Sequence, residues 1–171
     1  MNLSLREPQL KDKDNYLSFL NEWQTESAIV PKSACLEGRT YEAFIRDLSL
    51  REKGLIEPER LVPDLTYILV DEDNIIYGAL NLRLKLNDYL LAYDGHIGYG
   101  IAPSKRQMGY GKLILKLGLK LCKKRGIKKV LVTCNEENIA SEGIIKSQGG
   151  VLENVVWKSD GYIKRYWITI N

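Results

Sequence analysis

Seven consecutive residues, Arg106-Gln107-Met108-Gly109-Tyr110-Gly111-Lys112, have the types and order needed to hold a phosphate. Backbone N–H groups in the first turn of a helix have no intrahelical acceptor and attract anions. Glycines at 109 and 111 remove side chains that would keep an anion at a distance. The run therefore reads as a pyrophosphate cradle. A second pair of residues suits proton transfer. His96 is the only histidine, and an ordinary imidazole titrates near pH 6.5, so it can accept a proton at neutral pH. Asp94, two residues earlier, shares its strand face if the strand extends that far, and can orient or replace it. The alternative for His96 is a half-buried strand histidine hydrogen-bonded to backbone.

These residues need a frame, and the chain alternates strands and helices without a linker. Leu3–Glu7 is a short strand, and Asp12–Trp23 places Tyr16, Leu17, Phe19, Leu20 and Trp23 at helical spacing after an acidic start. Loops at Thr25–Gly38 and Gly54–Asp64 surround a helix over Tyr41–Lys53, entered imperfectly from Thr40. Leu65–Asp71 and Ile75–Leu84 make a hairpin around Asp71-Glu72-Asp73-Asn74. After an apolar stretch at Tyr89–Tyr93, a strand Gly95–Ile101 leads through the cradle into a helix Gly109–Arg125. There Tyr110, Leu113, Ile114, Leu117 and Leu121 form the inner stripe, and Lys112, Lys116 and Lys120 repeat on the other side. That lysine row is read as a solvated face, with only Lys112 placed to touch a phosphate. Strand Lys129–Cys134 completes a βαβ unit, whose strands should be parallel neighbours with a right-handed connection. Gly150–Lys158 and Tyr162–Ile170 form a terminal hairpin around Ser159-Asp160-Gly161.

Composition narrows the classes. A chain of 171 residues makes about one domain, here residues 1–171. Cys35, Cys122 and Cys134 form no CxxC or Cys/His cluster, so no metal is expected, and their odd count favours a reducing cytosol. No signal peptide or membrane span is expected, because no apolar stretch approaches about 18 residues. A net charge of +3 is too small to argue for nucleic acid and suits an anionic small ligand equally well. A cytoplasmic chain with no nucleic-acid or membrane partner is expected.

The cradle also resembles a family signature. Arg106-x-x-Gly109-x-Gly111 is similar to the [RQ]-x-x-G-x-[GA] motif of the GNAT acetyltransferases, with Gly98-Tyr99-Gly100-Ile101-Ala102-Pro103 upstream and Asn138-Ile139-Ala140-Ser141 downstream in matching places. Leu86–Leu91 before Gly95–Tyr99 resembles a bacterial subgroup of predicted acetyltransferases. The resemblance implies a mixed α/β fold, a central and mostly antiparallel sheet flanked by helices, in which a parallel strand pair splays apart at the cofactor. It implies acetyl-CoA as donor, held by Gly100, Ile101, Ala102, Arg106, Gln107, Met108, Gly109, Tyr110, Gly111, Lys112, Asn138 and Ser141. It further implies N-acetylation of a primary amine, on a small molecule or peptide, by direct transfer in a ternary complex. Under that implication His96 and Asp94 are the candidate bases for the amine, and a homodimer is left open. The two loops at 25–38 and 54–64 fall where such enzymes build the acceptor site.

Three readings stay open. Gly98 and Gly100 fit a close approach of the cofactor arm or a merely weak strand. Asn138 fits a cofactor contact or a helix cap alone. The tyrosine that many relatives carry seven residues after Asn138, to protonate the departing thiolate, is Ile145 here, so Tyr99 and Tyr162 become the candidates for that acid. The rival functions are a non-catalytic acyl-CoA-binding module, motivated by Ile145, and an oxidoreductase on Gly98-x-Gly100-x-x-Pro103, whose missing third glycine argues against it. An acyl-cysteine route through Cys122 or Cys134 is disfavoured by their apolar settings.

Overall fold

The computed structural model describes residues 2–56 and 62–171; the middle of the expected loop Gly54–Asp64, with Pro58, lies outside the described residues. Four strands form one antiparallel sheet in the order β1 (Ser4–Arg6), β2 (Asp64–Val70), β3 (Ile76–Arg83) and β4 (Ile97–Ile101). A second antiparallel sheet has the order β5 (Lys129–Asn135), β7 (Gly161–Thr169) and β6 (Val151–Lys158). The helices are α1 (Lys13–Asn21), α2 (Tyr41–Glu52), α3 (Tyr110–Lys124) and α4 (Ile139–Ser147). Each expected element is present. Among the described residues no helix is long and apolar enough to cross a membrane, and no cluster of metal-ligating side chains occurs.

The burial of β2 and β3 explains the layering. Every residue of β2 is buried, so this strand is covered on both faces. On one face Tyr16, Phe19, Tyr41 and Phe44 of α1 and α2 pack with Ile68 and Ala79. On the other, Leu65, Leu69, Leu80 and Leu82 meet Ile114, Leu115 and Cys122 of α3 and the inward residues of β5 and β7. The buried face of α3 is centred on Ile114, Leu115, Gly118 and Cys122, with Leu113, Leu117 and Leu121 only partly covered. Gly118 permits this centring, since a Cβ there would lie 2.6 Å from Leu80 Cδ1.

The βαβ unit is present with a qualification that matters for function. β4 and β5 are neighbours, but among the described residues no parallel ladder joins them, and the bridge between the segment leading into β4 and β5, Gly95–Val132, is isolated and antiparallel. At that end His96 N–H donates to the Leu131 carbonyl at 2.8 Å. Beyond it, among the described residues, no strand of one sheet pairs with a strand of the other. Gly95 is required at this seam because its φ is +67° and a Cβ would meet the Leu131 carbonyl oxygen at 2.4 Å. The turn before it, Leu90–Asp94, is a single π-helical turn. Its Leu91 carbonyl accepts from both Nε and Nη2 of Arg165 on β7, which fixes the turn to the second sheet.

Candidate active site

Strand β4 is the edge of its sheet, and its register decides what it offers to the gap. Arg83 N–H donates to the His96 carbonyl and Ala102 N–H to the Tyr77 carbonyl, and these pairs continue the β3–β4 register Asn81–Gly98 and Ala79–Gly100. Antiparallel bonding alternates, so the backbone groups of Ile97, Tyr99 and Ile101 turn away from β3 toward β5. The Ile101 carbonyl confirms the direction by accepting from Arg106 Nε at 3.3 Å. Gly98 and Gly100 therefore answer to the other side. A Cβ on Gly100 would lie 2.1 Å from the Val30 carbonyl oxygen, and one on Gly98 would lie 3.6 Å from Pro31 Cβ and 3.5 Å from Arg83 Nη2. The close approach at Gly100 is made by the 25–38 loop.

The loop into α3 is built by backbone. Gln107 has φ +62° and Gly109 φ +86°, so the chain turns through two left-handed residues before the helix. Gly109 is the N-cap of a 15-residue helix, and no side chain caps the first turn. The N–H groups of Tyr110, Gly111 and Lys112 consequently lack an intrahelical acceptor. Gly109 has open space around it, whereas a Cβ on Gly111 would meet Ile144 Cδ1 at 2.5 Å. Gly111 thus lets α3 and α4 pack closely, a reason beside phosphate approach. Met108 is 62% exposed, Lys112 is exposed, and Tyr110 packs edge-on against Tyr77 at 4.9 Å. The guanidinium of Arg106 is turned back, to Glu26 at 3.0 Å and over the Trp23 ring at 5.2 Å. Arg106 ties the loop to the segment after α1. This backbone arrangement fits a pyrophosphate: the first-turn donors lie together, the charge of the helix end is positive, and among the described residues no side chain caps it.

On the opposite flank of the gap, Asn138 Oδ1 accepts from Ser141 N–H at 3.0 Å and caps α4. The capping role is thus present, and the Nδ2 group remains for other use. The Tyr99 hydroxyl lies 3.3 Å from Ser141 Oγ, bridging β4 to α4, and burial pushes its pKa up to about 12. Tyr162 is 49% exposed and stacks edge-on with Trp157 in the terminal hairpin. Of the two candidate acids, the gap contains Tyr99. Ile145 is fully buried in the core. Glu142 holds α4 in place through Lys146, Lys164 and the Tyr166 hydroxyl, which together draw its pKa down to about 2. Burial pushes the thiols of Cys122 and Cys134 up to about 12 and about 11, so neither is a ready nucleophile.

His96 and Asp94 part company. The imidazole Nδ1 of His96 accepts a hydrogen bond from Leu131 N–H at 3.0 Å, and the residue is 8% exposed. Burial, then the neighbouring Arg83 charge, lowers its pKa to about 4. An imidazole so occupied is a poor proton acceptor and a good seam. This geometry is the backbone-bonded alternative for His96. Asp94 instead ends the π-helical turn, pairs with Lys158 Nζ at 3.3 Å, and lines a cavity of about 950 Å³.

That cavity lies on the same sheet face as Gly98. Its wall includes Asp64, Asn81 and Arg83 from β2 and β3, Arg51 from α2, and Lys32 from the 25–38 loop. Arg51 and Asp64 form a two-pronged pair, and Asn81 Nδ2 donates to the same carboxylate at 2.6 Å. The loop at 25–38 was legible as part of such a wall; Arg51, Asn81 and Arg83 were not, since single polar residues in a helix and a strand carry no pattern.

Residues 2–151 match the family model described as the acetyltransferase (GNAT) domain. Among solved structures, the ribosomal-protein-S5-alanine acetyltransferase from Vibrio fischeri superposes with TM-score 0.73 at 13% identity, covering 99% of this chain and 93% of that one. Mycobacterium smegmatis RimJ in complex with CoA-disulfide superposes with TM-score 0.71 at 17% identity, covering 98% and 81%. An acetyltransferase of the GNAT family from Streptococcus pneumoniae gives 0.66 at 18% identity, covering 99% and 100%. At these identities the likeness is one of fold. No curated protein matches the sequence.

Proposed function

The chain belongs to the GNAT acetyltransferase family and is an acyltransferase, and on that premise we propose that it moves an acetyl group from acetyl-CoA directly to a primary amine bound in the 950 Å³ cavity. The observation that carries this reading is the uncapped first turn of α3 behind left-handed Gln107 and Gly109. It opens beside a strand edge whose N–H groups are unclaimed by β3. Acetyl-CoA, when bound, supplies a thioester whose carbonyl an amine can attack.

The chain's own residues then have separate tasks. The N–H groups of residues 110–112 bind the pyrophosphate, and the gap-facing N–H groups of Tyr99 or Ile101 polarise the carbonyl. Asn138 Nδ2 and Ser141 hold the arm that joins pyrophosphate to thioester. Asp94, paired with Lys158, takes the proton from the ammonium form of the acceptor, directly or through water. Tyr99, protonated at neutral pH, donates its proton to the departing thiolate while Ser141 orients it. His96 holds β4 against β5 so that these groups meet.

Steady-state kinetics with acetyl-CoA and a panel of amines tests the proposal. Intersecting double-reciprocal lines and single-turnover transfer without a labelled enzyme support direct transfer; parallel lines with an acetylated protein would refute it. The fully buried Ile145 favours one competing reading, a module that binds acyl-CoA without turnover. Tight acetyl-CoA binding with no transfer to any amine would establish that reading.

A further inference from the structure

We propose that the acceptor amine carries a carboxylate and that Arg83 recognises it. The inference rests on the cavity being the acceptor side of an acetyltransferase. Arg83 stands at the end of β3, largely buried, and burial pulls its pKa below the usual arginine value. Nη1 donates to the carbonyls of Asp94 and Gly95, both at 3.1 Å. Nη2 comes within 3.5 Å of the position that a Cβ on Gly98 would take. The guanidinium therefore lies against bare backbone of β4, the strand that carries the gap-facing groups, and it lines the cavity.

The neighbouring carboxylates are each paired with another cation. Arg51 is paired with Asp64, Lys158 with Asp94, and Lys32 with Glu37 at 3.7 Å. Among the described residues no carboxylate lies within 4.0 Å of Arg83. Asp94 and Asp64 act on the guanidinium at a distance while each is paired with another cation, so Arg83, hydrogen-bonded to two neutral carbonyls, is only partly compensated. Its free edge is a planar fork of N–H donors, which matches a carboxylate in two parallel hydrogen bonds. The same residue disfavours a polyamine, whose second ammonium would face a like charge at low dielectric. Arg83 thus makes the cavity selective for an amine and a carboxylate in one molecule.

Calorimetry on the CoA-loaded protein decides this without requiring turnover. The probes are glycine, 4-aminobutyrate, 6-aminohexanoate and lysine, each paired with its own carboxamide. At least one acid should bind about tenfold or more tightly than its amide, and Arg83→Gln should bring that ratio to within about twofold, with Arg83→Lys intermediate. Equal affinities for acids and amides, no measurable binding of any of them, or an acid preference that survives in Arg83→Gln would each overturn the proposal. The acid and amide comparison on the natural protein stands even if a variant fails to fold. Transfer to neutral amines or polyamines without acid preference would sink the carboxylate inference and leave the acetyltransferase reading intact. Absence of acetyl-CoA binding would sink both.

Discussion

The two halves of the proposed site are made of different material. The donor side is backbone: a left-handed loop, an uncapped helix end and a strand edge, with Arg106 tying the loop down from outside. The acceptor side is side chain: Arg51, Asp64, Asn81, Arg83 and Asp94 converge from one helix, two strands and a π-helical turn. Backbone recognition requires particular glycines at particular spacings and so leaves a short motif. Side-chain recognition requires only that distant residues meet, and any of them can be exchanged when the substrate changes.

Substitutions can break or sharpen that contrast. The largest effect is expected on the acceptor side, where Asp94→Asn should lower kcat by roughly 10²-fold, within the usual general-base contribution. Its partly exposed pair with Lys158 contributes little to stability, about 0–1 kcal/mol, so the melting temperature should hardly move. Unchanged kcat in this variant would remove Asp94 as the base.

On the donor side, Gly109→Asp places a carboxylate at the N-cap of α3, where a Cβ meets open space. The added charge occupies the free N–H groups itself, and acetyl-CoA affinity should fall by about tenfold, or 1.4 kcal/mol. Some stability is also lost to the left-handed backbone, on the order of 1 kcal/mol. Calorimetry with acetyl-CoA and with an acceptor analogue should show only the former weakened; equal losses for both ligands would show that the two halves are not separable.

A smaller effect is expected from Tyr99→Phe, which removes the hydroxyl next to Ser141. Loss of one proton donor to a fair leaving group should reduce kcat by about tenfold or less, below the general range for acid catalysis, without change in acetyl-CoA affinity. A phenol pushed up to about 12 stays protonated across the neutral range, so its deprotonation should produce no activity limb below pH 10. Such a limb, absent in Tyr99→Phe, would place the phenol pKa lower than the geometry indicates.

For His96→Gln the expected change is in stability and its pH dependence. The folded pKa of about 4 lies below the unfolded value near 6.5, so the unfolded chain binds more protons between those limits. Stability is then fully present above about pH 6.5 and declines as pH falls toward 4. Thermal melts should show that decline flattened in His96→Gln, while the acidic limb of kcat remains. Loss of the kinetic limb would restore His96 as the base. The smallest effect belongs to Asn138→Asp, which keeps the cap of α4 and its melting temperature, while acetyl-CoA affinity or turnover falls by a few-fold; identical kinetics would leave the residue as a cap only.

The elements themselves were legible because their signals are local. The β-branched and aromatic runs of β2 and β3, the helical stripe of α3 and the turn at Ser159-Asp160 all act within a few residues. Thr40 was an imperfect box on paper, yet its hydroxyl does cap α2 by accepting from Ala43 N–H. What escaped was non-local. Gly100 has its reason seventy residues upstream, in the Val30 carbonyl, and Gly111 in Ile144 of another helix. The π-helical turn over Leu90–Asp94 is held by Arg165 from the far end of the chain. His96 shows the limit most plainly, since the part played by its Nδ1 could be assigned only after Leu131, on a strand beyond α3, was seen to reach it.

That last bond gives the seam an unusual reporter. The Leu131 amide donates to a ring nitrogen that can itself take a proton, and an imidazolium offers no lone pair at either nitrogen. The protection of the Leu131 amide against hydrogen exchange should be high near neutrality and fall as the pH drops toward 4, even though intrinsic exchange itself slows on acidification. The neighbouring amide of His96, which donates to the Leu131 carbonyl, should lose protection in step. Two adjacent peptide signals in a single spectrum would then follow the opening of the junction between the sheets as a titration, before any other part of the molecule unfolds.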